Sequence, residues 1–296
     1  MSDQPAKAGQ VDAGEPRGAP RVSVVMPVYN AERFLGEAID SLLGQTFRSL
    51  EVVMVDDCST DRSWEIMSDY ARRDPRVRVF RNERNLGIVR TRNRAFQEAD
   101  ARSTYFAIMD SDDISMPTRL EHQVAFLDAH PDHALVGGHN LVIDEQSREI
   151  GLRRYPTTHE EIVRVMGRYN PISQPTATVR RSALDAVGAY DEHFSRCQDY
   201  ELWLRLAARY KVANLDEPTL KYRWSATQGK RSHMRETLKL TLELQRKAMF
   251  RRPFFRPANV AYVGLEHLLL LLPEPVVLAL FRRVTYGAPG KPGKGE

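Results

Sequence analysis

The chain has 296 residues, of which 42% are hydrophobic, 28% charged and 8% aromatic, a composition that supports a sizeable folded core and excludes wholesale disorder. Its two cysteines, Cys58 and Cys197, exclude a disulfide framework and have no metal-ligand spacing; they read as small, partly buried side chains in a reducing compartment. The formal net charge of +4 is concentrated late, in Arg246, Lys247, Arg251, Arg252 and Arg256 and then in Arg282, Arg283, Lys291 and Lys294. Such clustering suits anionic lipid, and because no nucleic-acid-binding motif accompanies it, nucleic acid is not an expected partner.

Residues 1–20 are rich in Ala, Gly, Pro, Gln and Asp, have no apolar run and read as a disordered leader. Val22-Ser23-Val24-Val25-Met26 then predicts a buried strand, ended by Pro27-Val28-Tyr29-Asn30. Asn30 is a candidate N-cap for a helix whose inner face carries Phe34, Leu35, Ala38, Ile39, Leu42 and Leu43. A second strand at 51–55 runs into Asp56-Asp57-Cys58-Ser59-Thr60-Asp61, and a helix with Trp64, Met67, Tyr70 and Ala71 follows. A third strand at 77–80 leads to the loop 82–87 and a helix over about 90–99. Strand and helix thus alternate through short loops, the pattern of a parallel sheet with right-handed crossovers. The first strand lacks the glycine fingerprint of a dinucleotide site, and no P-loop is present.

The fourth strand carries the strongest signal. Tyr105-Phe106-Ala107-Ile108-Met109 runs directly into Asp110-Ser111-Asp112-Asp113, which puts carboxylates at the carboxyl end of a buried strand. Ligands of open α/β sheets bind at that edge, and Mg²⁺ or Mn²⁺ takes oxygen ligands of this kind beside substrate phosphates. The same residues also fit an acidic turn that caps the next helix, and on this stretch alone the two readings balance. That helix spans about 118–130, where Thr118 and Glu121 have capping-box spacing. Residues 134–144 predict an antiparallel element, 158–167 a helix with a second box at Thr158 and Glu161, and 176–179 a strand. Asp199 falls at the start of an amphipathic helix beginning Gln198-Asp199-Tyr200-Glu201-Leu202-Trp203, a position that suits a cap or a base held ionised.

Residues 233–286 form a helical, basic and partly apolar extension, and 287–296 a disordered tail. The apolar stretch 260–281 is broken by Glu266, His267, Pro273, Glu274 and Pro275, so it should not cross a bilayer. Two readings stay open for the extension. Residues 246–283 could lie on an anionic membrane surface, or the apolar stretch 260–281 could form a helical hairpin packed on the domain or on a second copy.

Taken together, residues 21–232 resemble the family-two inverting glycosyltransferases, whose catalytic domain has the nucleotide-sugar-binding GT-A fold. Five landmarks carry the resemblance in family order: Pro27-Val28-Tyr29-Asn30, the segment from Val55 to Asp61, Asn85-Leu86-Gly87 with Arg92-Asn93, Asp110-Ser111-Asp112-Asp113, and Gln198-Asp199-Tyr200-Glu201-Leu202-Trp203. The resemblance implies an α/β fold with a mixed, mostly parallel sheet and helices on both faces. It implies that Pro27, Val28, Tyr29 and Asp56 or Asp57 hold base and ribose, with Asn85 and Arg92 in support. Asp110, with Ser111 beside it, would face the ribose, and Asp112 with Asp110 would hold Mn²⁺ or Mg²⁺ at the diphosphate. Asp199 would be the catalytic base, and Lys230 and Arg231 would lie on a loop closing over the donor. Two departures stand out: Cys58 occupies the place of a common glycine, which matters only if the turn needs positive φ, and Gln198 replaces an acidic residue before the base.

The implied activity is transfer of a sugar from a nucleoside-diphosphate donor, UDP-linked by preference, to a glycan or lipid-linked acceptor of cell-surface polysaccharide. The implied place is the cytoplasm, against the inner face of the membrane if the extension binds lipid. A non-catalytic nucleotide-sugar-binding scaffold would be expected to lack Asp112 or Asp199, and both are present. A nucleotidyltransferase would be expected to carry a Gly- and Arg-rich loop where Pro27-Val28-Tyr29-Asn30 stands.

Overall fold

The computed structural model describes residues 18–224, 234–249 and 253–269. Their centre is a nine-stranded sheet in the order β3-β2-β1-β4-β8-β6-β9-β5, in which β5 is Ile114–Ser115, with β7 (Glu149–Arg153) added on β6. The strands β1 (Val22–Val28), β2 (Leu50–Asp56), β3 (Val77–Arg81) and β4 (Tyr105–Ile108) are parallel neighbours. Helices α1 (Leu35–Leu43), α2 (Ser63–Arg73) and α3 (Ile88–Glu98) connect them, as the alternating pattern predicts. Every residue of β1 and β2 is buried because both faces are covered, which is why they read as unbroken apolar runs. Val24, Met26, Val52 and Met54 pack with α1 and α2, whereas Val25, Val53 and Val55 point to the core built with α3 and α7 (Gln198–Ala207).

Polarity changes beyond β4. Strand β8 (Thr178–Arg180) runs antiparallel to β4 and to β6 (His133–Ile143), and β9 (Lys211–Arg223) runs parallel to β6, giving the mixed GT-A sheet. β8 starts later than expected because Gln174–Thr176 form a 3₁₀ turn first. Register shifts around Gly137 and His139 let β6 and β9 accommodate Pro218, which has no N–H to give the ladder.

The capping expectations divide. Thr158 and Glu161 form the full capping box of α5 (His159–Val165). Thr118 precedes α4 (Arg119–Ala129) but makes no side-chain cap; the Glu121 carboxylate instead accepts from Thr46 Oγ1 at 2.6 Å. Asn30 does not cap α1 either. It adopts a left-handed φ of 48° and its Oδ1 accepts from Thr60 N at 2.9 Å, which ties the loop after β1 to the loop after β2.

Of the extension, α8 (Met234–Met249) and α9 (Pro257–Leu269) are described, and they pack on the domain. Leu242 meets Val263, while Leu244, Ala248 and Phe254 enter the larger core. Gln245 Nε2 donates to Arg168 O and to Glu266. Of the stretch 260–281, for which a hairpin is one expectation, only 260–269 within α9 is described; the rest, like the remainder of 246–283, lies outside the described residues. No helix among the described residues is long and apolar enough to cross a membrane.

Adjacent glycines in β6 reflect close approach. A Cβ on Gly137 would overlap Asn214 Oδ1 and press on Thr176 Oγ1 and Ile172. Gly137→Ala is therefore expected to cost about 1–3 kcal/mol through overpacking. Urea unfolding measures it, and an unchanged midpoint would show that the strand yields freely.

Candidate active site

Parallel pairing brings three strand ends side by side, with Val28 opposite Asp56 and Val25 opposite Ile108. The residues that follow converge on one edge of the sheet. Pro27 and Val28 belong to β1 and are buried, so of that landmark Tyr29, at 51% exposure, is the side chain presented outward. Asp56 is fully buried, accepts from Ser59 N and pairs with Arg81 Nε at 3.0 Å. Asp57 is buried too; its oxygens accept from Asn82 Nδ2 (2.7 Å), Leu86 N (2.8 Å) and Gly87 N (2.9 Å). Its carboxylate therefore organises the 82–87 loop. Asn85 is exposed and makes a local turn, accepting from Gly87 N at 3.2 Å. Between these residues Cys58 has φ 62°, so the turn does need the conformation that glycine favours.

Asp110, Ser111 and Asp112 are half-buried at the same edge, and Asp113 is buried. Asp110 pairs with Arg92, which is 1% exposed. Arg92 therefore stands behind the first carboxylate, supporting the pocket from within. Burial works against its charge, but Asp110, Tyr190 and Asp199 outweigh this and hold the guanidinium above its ordinary value. Its Nε and Nη1 are buried without hydrogen-bond partners. Neighbouring Asn93 exchanges hydrogen bonds with the Tyr190 backbone at 2.9 and 3.0 Å, fixing that loop against α3.

Two further buried arginines shape the acidic turn, and sequence reasoning missed both. Arg119 Nη2 donates to Ile108 O at 2.9 Å, just before the turn. Arg223 Nε donates to Asp112 O at 2.8 Å, its backbone N donates to Asp113 Oδ1 at 2.8 Å, and its other nitrogens reach Asp144 O, Ser147 Oγ and Glu37. Neither arginine lies in a motif; the one hint in the sequence is that Arg223 ends the strand Lys211–Arg223.

The donor set at this edge suits a cation that keeps several non-protein ligands. Asp110 and Asp112 are hard oxygen donors one residue apart, and the described residues contain no group of three or more metal-ligating side chains. Mg²⁺ and Mn²⁺ are commonly bound in this way, by one or two carboxylates with water and substrate phosphate.

The third component is the start of α7. Cys197 precedes it in the left-handed region with φ 58°, which turns the chain sharply into the helix. Asp199 lies in the first turn, half-buried, where the helix end favours negative charge, and its Oδ2 accepts from Asn170 Nδ2 at 2.8 Å. Gln198 bonds to Gln174, and Gln174 Nε2 donates to Tyr190 Oη at 3.0 Å. Burial pushes the Tyr190 phenol well above its usual range despite Arg92 nearby. Arg92 thus links the strand edge bearing Asp110 to the helix bearing Asp199. Lys230 and Arg231 lie outside the described residues.

The carboxyl ends of parallel strands, an acidic turn and a carboxylate at a helix start together form the candidate site. The chain belongs to glycosyl transferase family 2, whose profile matches residues 23–188. It is 35% identical over 216 residues to the putative glycosyltransferase EpsE of Bacillus subtilis, covering 72% of this chain and 76% of the relative. It is 30% identical over 205 residues to the amylovoran biosynthesis glycosyltransferase AmsE of Erwinia amylovora, covering 68% and 75%. Among solved structures, S. aureus TarS 1-349 in complex with UDP-GlcNAc shares the fold with a TM-score of 0.60 at 21% identity, covering 85% of this chain and 71% of that one. The mannosyltransferase PcManGT of Pyrobaculum calidifontis, in complex with GDP-Man and Mn²⁺, does so with 0.62 at 19% identity, covering 94% and 84%. The chain is thus a glycosyltransferase, with relatives in polysaccharide biosynthesis.

Removing Asp57 takes an acceptor from three donors, of which Asn82 Nδ2 keeps Thr91 Oγ1 and Gly87 N keeps Asn85 Oδ1 while Leu86 N loses its partner. Asp57→Ala is expected to cost about 3 kcal/mol and to speed amide exchange at Leu86 and Gly87. Hydrogen exchange reads both amides, and wild-type protection there would refute the loop-organising role.

Proposed function

We propose that this chain moves one sugar per encounter from a nucleoside-diphosphate donor, UDP-linked by preference, to a hydroxyl of a glycan or lipid-linked acceptor, with inversion at the anomeric carbon. The observation that carries the reading is the pairing of buried Arg92 with Asp110, which places the acidic turn after β4 at the edge where parallel strands end, together with one further carboxylate, Asp199, in the first turn of α7. One carboxylate acting as base, without a second as nucleophile, is the requirement of a single inverting displacement.

In this reading Tyr29, Asn85 and the loops after β1 and β2 receive base and ribose. Asp56 and Asp57 serve it by holding those loops in place. Asp112, with Asp110, would hold Mn²⁺ or Mg²⁺, which supplies charge neutralisation for the diphosphate leaving group. Asp199 takes the proton from the acceptor hydroxyl as that oxygen attacks the sugar, a role typically contributing about 10²–10⁴-fold. Its placement at a helix N-terminus suits a negative charge there. Buried Arg92 pairs with Asp110 and fixes its position at the strand end. The polysaccharide role of relatives such as AmsE, and TarS with its bound UDP-GlcNAc, support the acceptor and donor classes named here.

Asp199→Asn should abolish transfer and leave UDP affinity intact, whereas Asp112→Ala should weaken UDP binding only when Mn²⁺ is present. Nucleoside-diphosphate release from UDP-, GDP- and dTDP-sugars, paired with calorimetry of UDP with Mn²⁺ or EDTA, tests both. Full turnover by Asp199→Asn would remove the base, and metal-independent UDP binding would remove the cation.

For the extension we propose contact with an anionic membrane. Phe255, Val260, Tyr262 and Leu265 are exposed along α9 and the segment before it, and Arg256 lies among them. Truncation after residue 252 should abolish co-sedimentation with phosphatidylglycerol vesicles; equal sedimentation of both forms would rule the contact out.

A further inference from the structure

Three successive residues of α7 are tied to one segment of chain, the stretch between α5 and β8. Gln198 Nε2 donates to Gln174 Oε1 at 3.5 Å, Asp199 Oδ2 accepts from Asn170 Nδ2 at 2.8 Å, and Tyr200 Oη donates to Met166 O. The middle contact holds the carboxylate assigned as base. The Asn170 amide has a defined orientation, because its Oδ1 accepts from Ile172 N at 3.2 Å and so leaves Nδ2 facing Asp199. The loop that presents it is itself pinned. Pro171 O accepts from Asn214 Nδ2 at 3.1 Å, Ile172 is buried, and Ser173 Oγ accepts from Asn140 Nδ2 at 2.8 Å.

A carboxylate at the start of a helix can turn about two side-chain bonds, and a fixed donor selects among those rotamers. A neutral amide does this without setting a further charge beside the carboxylate. We propose that Asn170 is a positioning residue for catalysis: its amide, locked by Ile172 N–H, holds the Asp199 carboxylate in the rotamer from which it takes the acceptor proton. The inference rests on Asp199 being the base. Asn170 acts through Asp199 and not on the donor, which lies with Asp110 and Asp112.

The test uses the full chain with Asn170→Ala and Asn170→Asp, the second nearly identical in shape. Misplacing the base should lower kcat by about tenfold to a hundredfold. The affinity for UDP with Mn²⁺ should not change. Asn170→Asp should be at least as impaired as Asn170→Ala, because it sets one carboxylate against another. A packing role would give the opposite order, with the isosteric variant near wild type, and that result would overturn the proposal. So would UDP affinity falling in proportion to kcat. A crystal structure of Asn170→Ala should show Asp199 in a new rotamer or in more than one; a single unchanged rotamer would also overturn it. Asp199→Asn run in parallel separates the two ideas. If it stays active the base reading fails, and if it is inactive while the Asn170 variants run at wild-type rate, the positioning role alone fails.

Discussion

A guanidinium buried to 1% exposure needs compensating negative charge, and the site is built around that requirement. Arg92 comes from α3, pairs with Asp110 beyond β4 and feels Asp199 at the start of α7. Three elements distant in sequence are thereby held to one electrostatic centre. Removing Asp110 would leave the buried guanidinium without its ion-pair partner, so the geometry of the acidic turn depends on a residue of α3.

The carboxylates around the sheet edge differ in how far the protein itself engages them. Asp56 is neutralised by Arg81, and Asp57 satisfies three donors of the 82–87 loop. Asp113 anchors the backbone of Arg223, whose side chain in turn fixes the Asp112 carbonyl. Asp110, Asp112 and Asp199 are only half-buried. A carboxylate with several protein donors has a fixed geometry and little capacity left for substrate. Burial and partners distinguish these roles where residue type does not.

Beyond the sheet, α7 is held from two sides. The segment between α5 and β8 grips its first turn, and α8 lies against Cys197, where Thr241 Oγ1 approaches Sγ at 3.3 Å. Arg205 bridges the helix to the preceding loop through Glu201 and the carbonyls of Val187, Gly188 and Ala189. Helix α8 thus packs against the residues that lead into the base, so part of the extension belongs structurally to the catalytic domain.

The sequence by itself determined the parallel half of the sheet, because strands covered on both faces must be apolar throughout and the helices between them must show one apolar stripe. It also determined the acidic turn after β4 and the position of Asp199, since carboxylates after a buried strand and at a helix start are local patterns. Only the tertiary structure decided what depends on partners far along the chain: that Asn30 ties two loops together and does not cap α1, that Cys58 must adopt positive φ, and that Asp57 organises a loop. Arg119, Arg223 and Asn170 were invisible for the same reason. Each acts through hydrogen bonds to backbone or side chains brought near by the fold, and no local periodicity encodes a contact of that kind.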